Sequence, residues 1–231
     1  MINNWLKNTQ NWFQKYAFCC YLCHDNTTSD QLICDLCWRD LMTDDDGQVC
    51  DGLPEDVIDY SLSLSGYRFP LDRLLLSLKY REKIILAREL GSRLASKVRQ
   101  ADLTLPDCIV PVPLHPGRLM LRGFNQALEI SRQLSRELQI PLRYRGIRRK
   151  RWTRPQFQLK RHERRDNMKD AFQVTALPPA SSVVIVDDIV TTGETARELA
   201  RVLRSAGASE VGLWTCARAD SAENSGIEVF H

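Results

Sequence analysis

The sequence predicts an α/β protein, in which a parallel β-sheet is flanked by helices and a small metal-binding module precedes it. Two observations predict the sheet. Strand-like and helix-like patterns alternate from residue 60 onward, and Val183–Val186 form a β-branched run typical of a strand buried on both faces. The module is predicted by two cysteine pairs of C-x-x-C spacing, both within the first 40 residues.

Length and composition are consistent with this organisation. The chain has 231 residues, 43% of them hydrophobic, and a mild net charge of +3. We predict two domains, residues 1–55 with an N-terminal helix and the metal module, and residues 56–231 with the sheet. The sequence contains no run of about 18 apolar residues, so no membrane span is predicted. The first residues do not resemble a secretory signal, so a cytoplasmic location is expected.

The metal module is predicted from Cys20, Cys23, Cys34 and Cys37, whose two pairs are ten residues apart. Two such knuckles facing each other place four thiolates at the tetrahedral positions that structural zinc prefers. A module of about 30 residues needs such a staple to fold. A thioredoxin-like redox pair and an iron–sulfur cluster are the competing interpretations, and Cys19 is an adjacent spare thiol. Before the module, residues 1–18 have the periodicity of an amphipathic helix.

The first half of the sheet domain contains a candidate anion site. A half-exposed strand is predicted over residues 60–65, followed by helices over 71–81 and 84–98. A short apolar strand over residues 108–113 is stopped by prolines. It runs into a loop that carries Arg118 and Arg122 and then enters a helix, an arrangement suited to an anion. The alternative is that both arginines are solvated side chains on a connector.

The segment from Arg143 to Arg165 is the most basic part of the chain, with eleven lysines and arginines against the single acid Glu163. Trp152 and Phe157 are interleaved with these cations. The pattern is typical either of a mobile lid over a polyanionic substrate or of a surface that binds single-stranded nucleic acid. A merely solvated face would normally mix charge signs. Strands are expected again near residue 172 and over residues 211–217.

The candidate centre of the domain lies at the end of the buried run. Asp187 and Asp188 follow it directly, and their carboxylates suit a vicinal diol such as the 2- and 3-hydroxyls of a ribose. Thr191-Thr192-Gly193-Glu194-Thr195 then leads into a helix, whose first N–H groups and threonine hydroxyls suit a phosphate monoester. Together they describe a site for a ribose 5-phosphate. The alternative is a strand whose acids merely start a turn and cap a helix.

This stretch resembles the phosphoribosyl-pyrophosphate (PRPP) signature of type I phosphoribosyltransferases. The whole chain, from about residue 18 to 218, resembles the ComF family of competence-associated proteins, which includes the GntX-type members and joins a zinc ribbon to a phosphoribosyltransferase-like domain. Many relatives carry further cysteine pairs before that domain, whereas this chain has only Cys50 there. The matching pieces are the two C-x-x-C pairs, Leu78-Lys79-Tyr80, Val110-Pro111-Val112-Pro113, Arg118-x-x-x-Arg122-Gly123-Phe124-Asn125-Gln126, Thr153-x-x-Gln156, Arg165-x-Asn167, Ala171-Phe172 and the signature at 183–195.

The resemblance implies a role for each part. Asp187 and Asp188 would bind the ribose hydroxyls, and Thr191, Thr192, Gly193, Glu194 and Thr195 the 5-phosphate. Val112 and its loop would hold pyrophosphate, with Arg118, Arg122 and Lys79 as charge partners. The residues in catalytic positions would be Asp187, Asp188, Arg118 and Arg122.

The resemblance also implies cofactors and partners. Mg²⁺ would bridge the pyrophosphate and ribose oxygens, and zinc would be structural. Three functions follow from it or compete with it: a PRPP-binding protein that serves DNA uptake together with competence-machinery proteins, a housekeeping phosphoribosyltransferase on a small nitrogenous acceptor, and a single-stranded nucleic-acid adaptor with a regulatory or vestigial PRPP pocket. The sequence does not identify an acceptor.

Overall fold

The computed structural model describes residues 19–27, 32–41, 56–78, 84–151, 168–175 and 182–219. The chain divides into two compact units, Met1–Asp44 and Asp45–His231. The helix predicted over residues 1–18 and the domain boundary predicted at residue 55 lie outside the described residues. Within the described ranges, no helix is both long enough and apolar enough to cross a membrane.

Within residues 19–27 and 32–41, the first unit is a short turn-rich segment followed by a helix. Cys19 and Asn26 form an antiparallel bridge around the turn that contains the first cysteine pair. Helix α1, Asp35–Leu41, begins beside the second pair. Ile33, Trp38 and Leu41 are the large apolar side chains buried here among the described residues. So small a core cannot by itself stabilise a fold.

The second unit is an α/β domain, which confirms the predicted fold class. Strands β1, β6, β5 and β2 form, in that order, a parallel sheet, whereas β3 and β4 form a separate antiparallel pair, here called the ribbon. In the part of this unit that the structure describes, the elements are β1 Tyr60–Gly66, α2 Leu71–Ser77, α3 Ile84–Gln100, β2 Cys108–Pro111, α4 Pro116–Arg122, α5 Gln126–Leu138, β3 Ile147–Arg149, β4 Phe172–Val174, β5 Ser182–Val190, α6 Glu194–Ser205 and β6 Glu210–Arg218.

The sheet is buried on both faces because its strands are covered by helices. Successive strand residues point to opposite faces. Val183 and Ile185 of β5 pack in one cluster with Leu199 and Leu203 of α6. Val184 and Val186 alternate with them and are also fully buried. The carboxyl ends of all four strands therefore lie at one edge of a covered sheet, where ligands bind in folds of this kind.

Helices α3 and α5 approach each other closely at Gly91. A Cβ atom placed on this glycine would lie 2.9 Å from the carbonyl oxygen of Ile130 and 2.7 Å from Cβ of Gln133. Only a residue without a side chain permits this approach. The contact sets the position of α5, the helix that follows the arginine loop.

Two expectations about the strands were wrong. The strand predicted as half-exposed, β1, also buries Ser61 and Ser65, because a parallel strand in a covered sheet has no solvated face. Strand β5 does not end before the acids but continues to Val190, where it still pairs with β6. The neighbour on its other side ends earlier, since the pairing with β2 reaches only Val186. The acids thus lie where β5 extends beyond β2.

The arginine loop also differs from the expectation, because it contains the short helix α4. Pro116 occupies its first turn, where a missing N–H costs nothing. Nδ1 of His115 accepts a hydrogen bond from the N–H of Gly117 at 3.1 Å. Gly123 ends the helix in the left-handed region, with φ of 77°. Sequence patterns predict this helix only weakly, because it has seven residues and none of them is buried.

Candidate functional site

The acidic pair lies at the carboxyl edge of the sheet, as predicted. Oδ1 of Asp187 accepts a hydrogen bond from the N–H of Asp188 at 2.9 Å, and Oδ1 of Asp188 accepts one from the N–H of Ile189 at the same distance. Both side chains are half-buried. The two carboxyl groups are close enough to share a hydrogen bond when one is protonated. The pair is therefore a concentrated set of acceptors, as a vicinal diol requires.

Asp187 is held in an environment that disfavours its charge. Burial raises the pKa of this carboxyl well above its usual range, and the negative charge of Asp188 raises it further. The guanidinium of Arg149 acts in the opposite direction. A ligand that donates hydrogen bonds or brings positive charge would favour the carboxylate. Ionisation of Asp187 therefore costs free energy, and a ligand of this kind would offset that cost.

The hydroxyl loop connects β5 to α6. Gly193 is in the left-handed region with φ of 75° and stands at the cap position of α6, where it offers no side chain to the first N–H groups. The hydroxyl of Thr192 is buried and has no hydrogen-bond partner among the described residues. A buried donor of this kind normally has a partner. A helix start without a cap side-chain hydrogen bond and a buried hydroxyl are features of an anion site.

The arginine loop is braced by the two residues that follow Phe124. Nδ2 of Asn125 donates to the carbonyl of Val112 at 3.0 Å, while its Oδ1 accepts from the N–H of Leu128 and so caps α5. Gln126 is buried and bridges two elements, since its Oε1 accepts from Arg122 at 3.4 Å and its Nε2 donates to the carbonyl of Leu78 at 3.4 Å. The Asn-Gln pair therefore holds the loop in place, a role that sequence reasoning did not assign to it.

Both predicted arginines of this loop are half-buried. Burial lowers the pKa of Arg118, and the charge of Arg122 lowers it further, so the two guanidinium groups are close. Neighbouring cations in a partly desolvated place favour an anion between them. The structure thus brings both arginines into one region, although α4 itself is mostly exposed.

Two residues that the sequence did not assign to this site act on its charges. Arg149, expected with the rest of the basic segment in a lid or at a nucleic-acid surface, is buried instead; burial and then the charge of Arg118 lower its pKa to about 10, while the charge of Asp187 acts in the opposite direction. Tyr67 follows β1, and burial, then Asp72, then Asp188 raise the pKa of its phenol. Only their positions in the sequence could have indicated this role. Tyr67 comes just after a strand of the sheet, and Arg149 is one of many cations in the basic segment.

The roles of several residues remain predictions. Lys79 lies outside the described residues, as do Cys50, Trp152, Phe157 and the Thr153, Gln156, Arg165 and Asn167 positions of the family pattern. Val112 is buried, its N–H donates to Val186 at 2.9 Å, and its carbonyl accepts from Asn125. Its part in ligand binding would be to fix the backbone of the loop.

The four predicted cysteines of the first unit come together. The sulfur atoms of Cys20, Cys23, Cys34 and Cys37 all lie within 4.8 Å of one another. Cys23 and Cys34 have an Sγ to Sγ distance of 3.7 Å. Four thiolates in tetrahedral geometry at about 2.3 Å from zinc are about 3.8 Å apart, so the cluster fits that ion.

The backbone around the cluster favours the thiolate form of Cys20. Sγ of Cys20 accepts hydrogen bonds from the N–H groups of Cys34 at 3.3 Å and Leu22 at 3.4 Å. Burial opposes ionisation of Cys20, yet hydrogen bonds from the N–H groups of Cys23, Cys34 and Leu22 lower its pKa to about 6. The pKa of Cys37 is raised by burial and by the neighbouring sulfurs. A cation would remove this mutual repulsion.

Comparison with known proteins identifies the family of this chain. The phosphoribosyl transferase domain model matches residues 125–226. Competence protein F of Haemophilus influenzae is 37% identical to this chain over 168 residues, covering 70% of this chain and 73% of that protein. The chain belongs to the ComF family. DNA utilization protein YhgH of Escherichia coli K12 is 36% identical over 161 residues, covering 68% of this chain and 71% of that protein.

Membership of the ComF family confirms the resemblance found in the sequence. Among solved structures, glutamine PRPP amidotransferase of B. subtilis is similar at 20% identity and a TM-score of 0.40, covering 61% of this chain and 30% of that one. A likeness this distant adds nothing about the site. Sequence and structure therefore agree on a ComF protein that has a phosphoribosyltransferase-like domain and a four-cysteine cluster able to hold a metal.

Proposed function

We propose that this ComF-family protein binds PRPP with Mg²⁺ at the carboxyl edge of its sheet and acts in DNA uptake. The proposal depends on one observation: a desolvated acidic pair and a hydroxyl loop lie together at one edge of the sheet, and the helix that this loop begins has no side-chain cap. Asp187 and Asp188 would bind the ribose hydroxyls, Thr191–Thr195 the 5-phosphate, and Arg118 and Arg122 the pyrophosphate. Support for DNA uptake comes from the names of the relatives, a competence protein and a DNA utilization protein.

The chemistry open to such a site is limited. Displacement of pyrophosphate from C1 of the ribose develops positive charge on the sugar and negative charge on the leaving group. The chain would contribute positioning and electrostatic stabilisation through Arg118 and Arg122. Mg²⁺, held by substrate phosphates and by the carboxylates of this site, would supply positive charge that stabilises the leaving pyrophosphate. Zinc at the four cysteines would hold the first unit together.

Calorimetric titration with PRPP and Mg²⁺ tests the pocket. The wild-type protein is expected to bind, and the double variant Asp187→Asn, Asp188→Asn is expected to lose affinity on the order of 100-fold, because two charge-assisted interactions are removed. The matched control is Glu210→Gln, an exposed acid at the amino end of β6, which should bind as the wild type does. Equal binding by the double variant would eliminate the pocket.

A second candidate function is single-stranded nucleic-acid binding, favoured by the exposed side of the basic segment. Arg143, Arg145, Arg148, Lys150 and Arg151 are all exposed. Tyr144, which is 40% exposed, lies between the first two of them and offers a ring on which a base could stack. This surface and the PRPP pocket do not exclude each other.

This candidate predicts a salt-dependent affinity for single strands. Replacing Arg148, Lys150 and Arg151 by Ala should weaken binding of a single-stranded oligonucleotide and reduce the slope of log K against log salt by about 2, since each phosphate contact contributes roughly 0.7. Fluorescence anisotropy at several salt concentrations measures both. The control is Arg88→Ala with Arg136→Ala, two exposed arginines on α3 and α5. An unchanged slope in the triple variant would remove the surface from consideration.

A further inference from the structure

Gln126 is a buried polar side chain at the point where the arginine loop enters α5. It is only 2% exposed, although glutamine is mostly found at protein surfaces. Its Oε1 accepts a hydrogen bond from Nη1 of Arg122, and its Nε2 donates one to the carbonyl of Leu78, both at 3.4 Å. Leu78 caps the end of α2 and is 48 residues away in the chain. One buried amide thus joins the arginine loop to a distant element of the domain.

The two partners of Gln126 can be satisfied together only by a group that both accepts and donates. A guanidinium donates and does not accept, whereas a backbone carbonyl accepts and does not donate. The amide of glutamine offers one atom of each kind, so the two partners fix its orientation. An apolar side chain of the same length would satisfy neither partner. The contacts therefore determine the residue type at this position.

Arg122 depends on such a contact because its own helix does not hold it. None of the seven residues of α4 is buried, and Gly123 ends the helix directly after Arg122. Gln126, by contrast, begins α5, which packs closely against α3 at Gly91. Leu78, its other partner, is fully buried. The amide therefore connects an arginine on an exposed helix to two packed parts of the domain.

We propose that Gln126 is a positioning residue of the pyrophosphate subsite, whose amide keeps the guanidinium of Arg122 in the orientation that binds a diphosphate. The inference deepens the proposed function and rests on it, since Arg122 is one of the two arginines proposed to bind pyrophosphate. A guanidinium is planar and matches phosphate oxygens only in certain orientations. Fixing its plane before the ligand arrives reduces the side-chain entropy that is lost on binding.

Calorimetry in the presence of Mg²⁺ tests this role with three ligands: inorganic pyrophosphate, ribose 5-phosphate and PRPP. Gln126→Met removes both hydrogen bonds at similar side-chain length. We expect it to bind pyrophosphate and PRPP about 10-fold more weakly than the wild type. Its affinity for ribose 5-phosphate should not change, because that ligand has no diphosphate. Gln126→Asn, whose shorter amide cannot reach both partners, should show the same selectivity and replaces Gln126→Met if that variant does not fold.

The matched control is the same substitution further along the same helix. The amide of Gln133 also bridges two helices, since Nε2 donates to Ser92 of α3 at 3.1 Å and to Glu137 of α5 at 3.0 Å. Gln133→Met therefore removes comparable hydrogen bonds away from the arginine loop. It should bind all three ligands as the wild type does.

A double-mutant cycle with Arg122→Met shows whether Gln126 acts through Arg122. Arg122→Met alone should weaken pyrophosphate binding, and adding Gln126→Met should weaken it no further, because the group that the amide positions is already gone. Losses that instead multiply would overturn the inference. A merely structural role would lower the affinity in both backgrounds alike.

The outcomes separate this inference from the proposed function. If the wild type binds PRPP and Gln126→Met binds pyrophosphate equally well, the inference is overturned while the pocket stands. If Gln126→Met loses affinity for all three ligands alike, Gln126 only supports the fold and the inference is again overturned. If the wild type binds none of the three ligands, both proposals fail.

Discussion

Removal of zinc is expected to unfold the first unit of the protein. The described part of this unit buries only a few large apolar side chains, among them Ile33 and Trp38, so burial cannot replace the metal. Coordination of zinc contributes about 10–16 kcal/mol in small modules of this kind, which is comparable to or larger than the usual stability of a whole domain. The effect is therefore all or none and not a small shift in stability.

The substitution Cys34→Ser makes this expectation measurable. Elemental analysis should find about one zinc per wild-type chain and none in the variant, because three thiolates leave the tetrahedral site open to solvent. Trp38, buried in α1, should become exposed and shift its fluorescence to the red. Cys19→Ser is the matched control, since Cys19 is next to Cys20 but does not belong to the cluster of four. Full zinc retention by Cys34→Ser would refute the ligand assignment.

The substitution Asp187→Asn is expected to weaken PRPP binding and at the same time to stabilise the fold. The folded pKa of Asp187 lies above the unfolded value of about 3.9. Below pH ~3.9 the carboxyl is protonated in both states and costs nothing. The stability that comes from the protonated form is lost as the pH rises through the folded pKa. Asparagine resembles the protonated form and cannot lose a proton, so the variant keeps that stability.

Thermal melting at two pH values checks whether Asp187→Asn stabilises the fold. Near pH 7.5 the variant should melt several degrees above the wild type, and near pH 3.5 the two should melt together. Glu210→Gln, in which an exposed acid is neutralised, should melt as the wild type does at both values. A variant that melts lower at both pH values would show that Asp187 is a structural residue. Opposite changes in affinity and stability are the mark of a group kept for its function.

The sequence predicted the α/β class, the cysteine cluster and the location of the acidic pair, because each depends on short-range patterns. Val183–Val186 can hardly be anything but a covered strand, and the carboxyl end of such a strand must lie at the ligand edge of the sheet. Cysteine spacing limits the geometry of the four sulfur atoms in a similar way. The tie that Asn125 makes to Val112 was not predictable, because thirteen residues separate them in the chain.

What the residues determine locally is which groups are present: two acids after a strand, hydroxyls before a helix, thiols in pairs and a run of cations. What only the tertiary structure decides is which of these groups share a space. The cations of the Arg143–Arg165 segment look equivalent in sequence, yet strand pairing turns Arg149 inward beside Asp187 and leaves Arg148 in solvent. The physical reason is that a strand alternates its faces, and the register that decides which face is inside is set by contacts between distant parts of the chain.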